Sequence, residues 1–181
     1  MKLWLVRHAQ PLIAPGVCYG ASDIEADGER TADCAVRLAA ELPRGLTVHS
    51  SPLRRCLQLA QALCALRPDL QLRQDPRLRE MDFGQWEGVR WDDIPRAAYE
   101  AWTADFGTER FGGRESVNEL LDRVAAAREE ALAAGQDALW VTHGGVLRAL
   151  TLLGQGINRL DRADQWPAAV AGWGEWQSIT L

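Results

Sequence analysis

Two unbroken apolar runs end on histidines. Residues 3–6 (Leu3, Trp4, Leu5, Val6) run into Arg7-His8, and residues 138–142 run into His143-Gly144-Gly145. A short apolar run without polar alternation predicts a strand covered on both faces. Elsewhere the period is helical. Across residues 27–42, Ala32, Ala35, Val36, Leu38, Ala39 and Leu42 recur at helical intervals, and Pro43 stops them. Residues 46–49 predict a short strand. Ser51-Pro52 predicts the start of a helix reaching about residue 66, with Ser51 capping free amides and Pro52 in the first turn, where no N–H is missed. Its inward positions would be Leu53, Cys56, Leu57, Ala60, Leu63 and Cys64. Residues 70–73 read as a weak strand. Ser116 and Glu119 form a capping-box pattern opening a helix over residues 117–134, and a further helix over 145–153 follows the second histidine run. Residues 173–181 predict a last strand.

Strands alternating with helices predict an α/β fold, a mainly parallel sheet with helices on both faces. Residues 78–113 break the alternation. They are irregular, rich in Trp, Phe and Gly, with room for a short helix at 96–104. We read them as a cap over the carboxyl edge of the sheet within one domain spanning residues 1–181.

Composition narrows the partners. The chain has 181 residues and a net charge of −5, so no overall basic field recruits nucleic acid or an anionic membrane surface. An anionic ligand would have to be held by a few placed arginines. The four cysteines (Cys18, Cys34, Cys56, Cys64) show neither C-x-x-C nor zinc-site spacing, which fits free thiols in a reducing compartment. No apolar run is long enough for a membrane span. A strand carrying functional residues begins at once, so no cleaved leader is expected and a cytoplasmic location is the default.

Ligands of open α/β sheets bind beyond the carboxyl ends of the strands. An Arg and a His delivered there pair an anion-seeking guanidinium with a nucleophilic imidazole. A neutral His8 could attack phosphorus and carry the phosphoryl group, splitting one displacement into two. Phosphoryl transfer asks for positioning and for neutralisation of the equatorial oxygens. A histidine at one strand end is most often a hydrogen-bonded core residue. Two such histidines, with free amides of a following helix beside His143 and Gly144, point to a shared anion site. Arg54 and Arg55 project about 100° apart on a helix, so one of them faces that site. Glu80 taken alone is a surface carboxylate.

These motifs together resemble the histidine phosphatase (phosphoglycerate mutase-like) superfamily. Its R-H-G signature is matched by Arg7-His8-Ala9, and its S-x-L-x-R motif by residues 51–55, which selects Arg55. Its L-x-E-x-x-F-G-x-W-E-G motif is matched by residues 78–88, which singles out Glu80. Its G-G-E-S element is matched by residues 112–116 with Arg114 inserted, and its H-G-G by residues 143–145. The resemblance implies a three-layer α/β/α sandwich whose mostly parallel sheet has one antiparallel edge strand at residues 176–181. It implies a phosphomonoesterase with a phosphohistidine on His8. Arg7, Arg55 and His143 would bind phosphoryl oxygens, and Glu80 would be proton donor and then base. No metal or organic cofactor is implied. Gln10, Tyr19, Gly20 and Gly144 complete the expected substrate contacts.

Within the superfamily the short chain and the loop at residues 16–23 look most like α-ribazole-5′-phosphate phosphatase of cobalamin biosynthesis. Its ring would need an aromatic wall, which Tyr19, Trp86, Trp91, Trp102, Phe106 and Phe111 could supply. The sequence departs from the family at Ala9, Gln10, Ala14 and Arg114. A broad-specificity sugar or nucleotide phosphatase, a mutase-like phosphotransferase and a non-catalytic phospho-ligand binding module are the competing readings. The partner expected is a small phosphorylated metabolite, and exposed Trp173 or Trp176 could pair subunits as a homodimer.

Overall fold

Five strands form one sheet: β1 (Lys2–Arg7), β2 (Thr47–Ser50), β3 (Gln71–Gln74), β4 (Ala138–Thr142) and β5 (Trp176–Thr180). Their spatial order is β3-β2-β4-β1-β5. The computed structural model describes residues 1–181. β1 pairs with β4, β4 with β2 and β2 with β3 in parallel, whereas β5 runs antiparallel along β1. The two histidine-terminated runs are therefore neighbours at the centre, and both faces of each are covered, which is why neither alternates.

Five helices complete the architecture: α1 (Gly28–Glu41), α2 (Arg54–Leu66), α3 (Arg96–Ala104), α4 (Val117–Ala134) and α5 (Gly144–Gly154). The pleat sends alternate residues of one strand to opposite layers. Val6, Leu139 and Val141 pack with Leu38, Leu59 and Leu63 of α1 and α2. Leu3, Leu5, Ala138 and Trp140 pack with Leu120, Leu121, Val146 and Leu150 of α4 and α5. The fold is a three-layer α/β/α sandwich, mostly parallel with one antiparallel edge strand.

Several local expectations shift. In α1 the buried positions are Thr31, Cys34, Ala35 and Leu38, while Val36 is 59% exposed, so the inward stripe is rotated from the one periodicity suggested. α2 begins at Arg54, and its N-cap, Leu53, makes no side-chain cap. Ser51 Oγ accepts the Leu53 amide at 3.3 Å, ahead of the helix, and makes a second contact described below. The capping box at Ser116 and Glu119 forms in full and starts α4 at the expected residue. Trp176 is not free surface, because its indole N–H donates to Glu41 at 3.0 Å and the Arg37 guanidinium lies over its ring. No helix is long and apolar enough to cross a membrane.

Between β3 and α4 the chain makes short 3-10 turns and α3 around Phe111, which is 1% exposed. Trp102 stacks on Phe111 with ring centres 4.4 Å apart, and Trp91 stacks on Phe111 at 6.2 Å. The aromatic residues of this segment thus pack mainly on one another. For Trp86, Trp91 and Phe111 this corrects the expected aromatic wall, since flat rings bury more area against each other than against open solvent.

Candidate active site

Register brings the site together. Arg7 is opposite Thr142, so the residues that follow, His8 and His143, leave adjacent parallel strands at one level. The His8 amide still donates to the Thr142 carbonyl at 3.1 Å. Ser50 is opposite Val141 on the other flank of β4, which sets Ser51 beside His143. The imidazole rings of His8 and His143 have centres 5.1 Å apart at 60°. One small oxyanion can touch both.

Each ring's tautomer follows from its partners. His8 Nδ1 lies 2.7 Å from the Ala9 carbonyl oxygen, which can only accept, so the neutral ring carries its proton there and a lone pair on Nε2. Burial first, then the charge of Arg55, holds the His8 pKa down at about 3, with Arg7 adding a smaller push and the Ala9 contact opposing. His8 is thus a neutral imidazole with its Nε2 electron pair turned inward at neutral pH. His143 is fully buried. Its pKa is also well below the ordinary value, from burial and then Arg55. Its Nδ1 accepts from Arg55, so Nε2–H donates to Ser51 Oγ at 2.7 Å.

Arg55 sits between the rings. It is 0% exposed and its single Nε–H points to His8 Nε2 at 3.3 Å and His143 Nδ1 at 3.2 Å. Its Nη1 donates to the Ser22 carbonyl at 2.7 Å and its Nη2 to the Gly20 carbonyl at 2.6 Å. The neighbouring Arg54 is turned to solvent and pairs with Glu25. The helix thus separates the two arginines as their angular spacing requires.

The loop that holds Arg55 is itself held by Glu87. That carboxylate accepts the amides of Gly20 at 2.9 Å, Ala21 at 2.9 Å, Ser22 at 3.1 Å and Phe83 at 3.0 Å, and also the Ser22 hydroxyl. A Cβ on Gly20 would stand 1.8 Å from the Met81 carbonyl oxygen, so only glycine permits this approach. Tyr19 places its ring 5.4 Å from the Arg55 guanidinium carbon. Glu87 and Ser51 are supporting residues that sequence reasoning missed. A lone carboxylate between Trp86 and Gly88 was the available signal for the first; the second was obscured by a plausible cap.

Glu80 arrives from the segment after β3. Thr142 Oγ1 donates to the Leu78 carbonyl at 2.8 Å, and Arg123 of α4 donates to the carbonyls of Arg77, Arg79 and Glu80. Glu80 Oε2 accepts the Gly145 amide at 3.0 Å, at the N-terminus of α5. A Cβ on Gly145 would lie 2.1 Å from Glu80 Oε1, so the second glycine of His143-Gly144-Gly145 makes room for that carboxylate.

Arg7 is half-buried. Its Nη1 donates to the Ala171 carbonyl at 3.1 Å, Trp173 lies at 5.4 Å from it, and its Nε has no partner. Gly144 borders it, since a Cβ there would be 3.4 Å from the Arg7 guanidinium carbon. Gln10 is not brought to the histidines. It lines a separate hollow with Arg30, Asp33, Arg37 and Trp173, and its carbonyl accepts the Asp27 amide at 2.8 Å. Two cavities meet at Glu80. One, of about 390 Å³, is polar and lined by Ala21, Arg79, Asp82, Arg114, Glu115, Glu119 and Arg123. The other, of about 100 Å³, is apolar and includes Met81, Phe83, Trp102, Phe106 and Trp166. No group of three or more His, Cys, Asp or Glu side chains converges to hold a metal ion.

Chemically, the arrangement offers a neutral imidazole nucleophile, guanidinium and amide donors around it, and one carboxyl group at the edge. The histidine phosphatase superfamily (branch 1) matches residues 3–174. A metal-independent phosphoserine phosphatase of Arabidopsis thaliana is 31% identical over 160 residues, 83% of this chain and 67% of its own length. A glucosyl-3-phosphoglycerate phosphatase of Mycolicibacterium vanbaalenii is 31% identical over 182 residues, 92% of this chain and 77% of its own. The structure of a mycobacterial glucosyl-3-phosphoglycerate phosphatase with inorganic phosphate matches with a TM-score of 0.81 at 26% identity, covering 99% of this chain and 89% of that one.

Proposed function

The chain belongs to the histidine phosphatase superfamily and is a phosphatase of that group, and from this we propose that it hydrolyses a small phosphorylated metabolite through a phosphohistidine on His8. The observation that carries this reading is the single Arg55 Nε–H set between His8 Nε2 and His143 Nδ1. An entering phosphoryl group replaces two neutral imidazole acceptors with anionic oxygens, and charge-assisted hydrogen bonds are the stronger ones. That exchange uncovers the His8 Nε2 lone pair. The pair attacks phosphorus and the ester P–O bond breaks. Glu80 gives its proton to the departing oxygen. Its carboxylate then takes a proton from water as that water attacks the phosphohistidine, returning inorganic phosphate and free His8. Arg7, Arg55 and the Gly144 amide hold the equatorial oxygens throughout, and His143 joins them as a donor once the arriving dianion draws a proton onto its Nδ1. Tyr19 and Gly20 act through the wall they form around Arg55.

The leaving group is a finer question. The relatives above are named for phosphoserine and glucosyl-3-phosphoglycerate, both phosphate esters of carboxylic acids. The α-ribazole phosphate expected from the loop at residues 16–23 carries a large flat ring. The apolar cavity beside Glu80, about 100 Å³, is smaller than the roughly 150 Å³ that takes up benzene, and the roomier cavity at Glu80 is polar and suits a flat apolar ring poorly. We therefore favour a compact leaving group.

Because guanidinium groups supply the charge neutralisation, p-nitrophenyl phosphate should be turned over with excess chelator present at the same rate as without it. A screen of phosphate esters that includes phosphoserine, phosphoglycerates, sugar phosphates and α-ribazole phosphate then ranks the leaving groups. A folded protein that binds phosphate yet hydrolyses none of them would be a binding module, contrary to this reading.

A further inference from the structure

Arg148 is half-buried on α5, one turn beyond His143, and the reaction described above does not use it. Its Nε donates to the Pro167 carbonyl at 2.8 Å and its Nη2 lies 3.5 Å from the Ala168 carbonyl. Nη1 has no partner. It points back toward the site, since a Cβ on Gly144 would lie 3.3 Å from Arg148 Nη1 and 3.4 Å from the Arg7 guanidinium carbon. Two guanidinium groups therefore flank one glycine.

The charge is uncompensated. None of Arg7, Arg55 and Arg148 has a carboxylate within ion-pairing distance, although eleven ion pairs form elsewhere. The polar cavity differs, because two of its three arginines are answered internally, Arg123 by Glu115 and Arg114 by Asp82. Burial lowers the Arg148 pKa most, Glu80 raises it and Arg7 lowers it again, as expected of a cation kept near a like charge. Such a cost is tolerated where an anion arrives. Counted among themselves, three guanidinium charges facing a phosphoryl dianion exceed it by one.

The position of that charge indicates where its partner sits. Arg148 lines the apolar cavity together with Glu80, Met81, Trp102 and Phe106. The Trp102 indole N–H is buried without an acceptor. A leaving group that lies along this cavity from Glu80 would meet a few apolar walls and then one cation.

We propose that Arg148 reads a carboxylate on the leaving group, making this site selective for phosphate esters of compact hydroxy acids. This rests on the phosphatase reading above and adds a specificity-determining residue to it. O-phosphoserine and O-phosphoethanolamine differ only in the carboxylate, so the ratio of their kcat/KM values isolates it. The wild-type ratio should favour phosphoserine by on the order of 10- to 100-fold, the range for a hydrogen bond to a charged group. R148M should bring the ratio close to unity, and R148K should restore part of it. A purely structural role for Arg148, holding Pro167 and Ala168, would lower both esters alike and leave the ratio standing. A wild-type ratio near unity, or a ratio that survives in R148M, overturns the proposal. If even p-nitrophenyl phosphate is not hydrolysed, the phosphatase reading has failed instead. Calorimetric affinities of the same two esters for wild type and R148M then decide the carboxylate question by the same ratio.

Discussion

Replacing His8 with Ala should lower kcat/KM for p-nitrophenyl phosphate by at least about ten-thousand-fold, because removing a nucleophile from a set that works as a unit forfeits nearly the whole covalent route. Water would have to attack phosphorus directly, in a pocket built to keep an imidazole lone pair in that place. The imidazole is also pre-set for the task. Its Nδ1 proton is committed to the Ala9 carbonyl, and burial keeps the ring neutral down to a pH of about 3. No proton has to be removed before attack. The variant should remain folded by circular dichroism, since Arg55 keeps its bonds to the Gly20 and Ser22 carbonyls. Residual activity within a hundredfold of wild type would mean that another group attacks.

Arg55→Ala should have the second largest effect, and on two quantities at once. The side chain is 0% exposed and fills the space between two rings and a loop. Its loss leaves the buried carbonyl of Gly20 and the carbonyl of Ser22 without donors, and a network of this kind costs about 2–4 kcal/mol when one member is deleted. The activity loss should be larger in kind, on the order of 10²–10³ in kcat, the scale for removing one preorganised donor from a developing anion. Lys at this position keeps the charge but lacks the fork that reaches two carbonyls and the histidines together, so it should recover little. Urea unfolding and steady-state kinetics on the same preparations separate the two effects. A variant with normal kcat and normal stability would contradict the arrangement described for α2.

Much of this was legible beforehand for physical reasons. β1 and β4 announce themselves because central parallel strands are buried twice, which writes a continuous apolar run. α4 is legible to the residue because Ser116 and Glu119 satisfy each other's amides locally, with no need of tertiary context. The antiparallel direction of β5 came only from the family resemblance, since no feature of residues 176–181 encodes direction. Local chemistry tells only half the story at Ser51, whose hydroxyl accepts the Leu53 amide just before α2 and also meets His143 92 positions later in the chain. The same long separations hid Glu87, which acts 65 to 67 residues back along the chain on Gly20, Ala21 and Ser22. The aromatic residues of 86–111 were legible as a group but not in their direction, because stacking on Phe111 and facing a ligand leave the same composition. Arg148 follows a glycine pair that drew attention to the amides instead, and its unpaired Nη1 emerges only from three-dimensional placement.

The proposed reaction passes through a covalent bond between phosphorus and the imidazole nitrogen of one residue. Rapid acid-free quenching of the enzyme during turnover of a ³²P-labelled ester, followed by peptide mapping, reads that bond directly. We expect one phosphoryl group that survives alkali, is released by acid, and maps to His8. Label on another side chain, or steady turnover with no labelled protein under conditions that trap phosphohistidine, would contradict it.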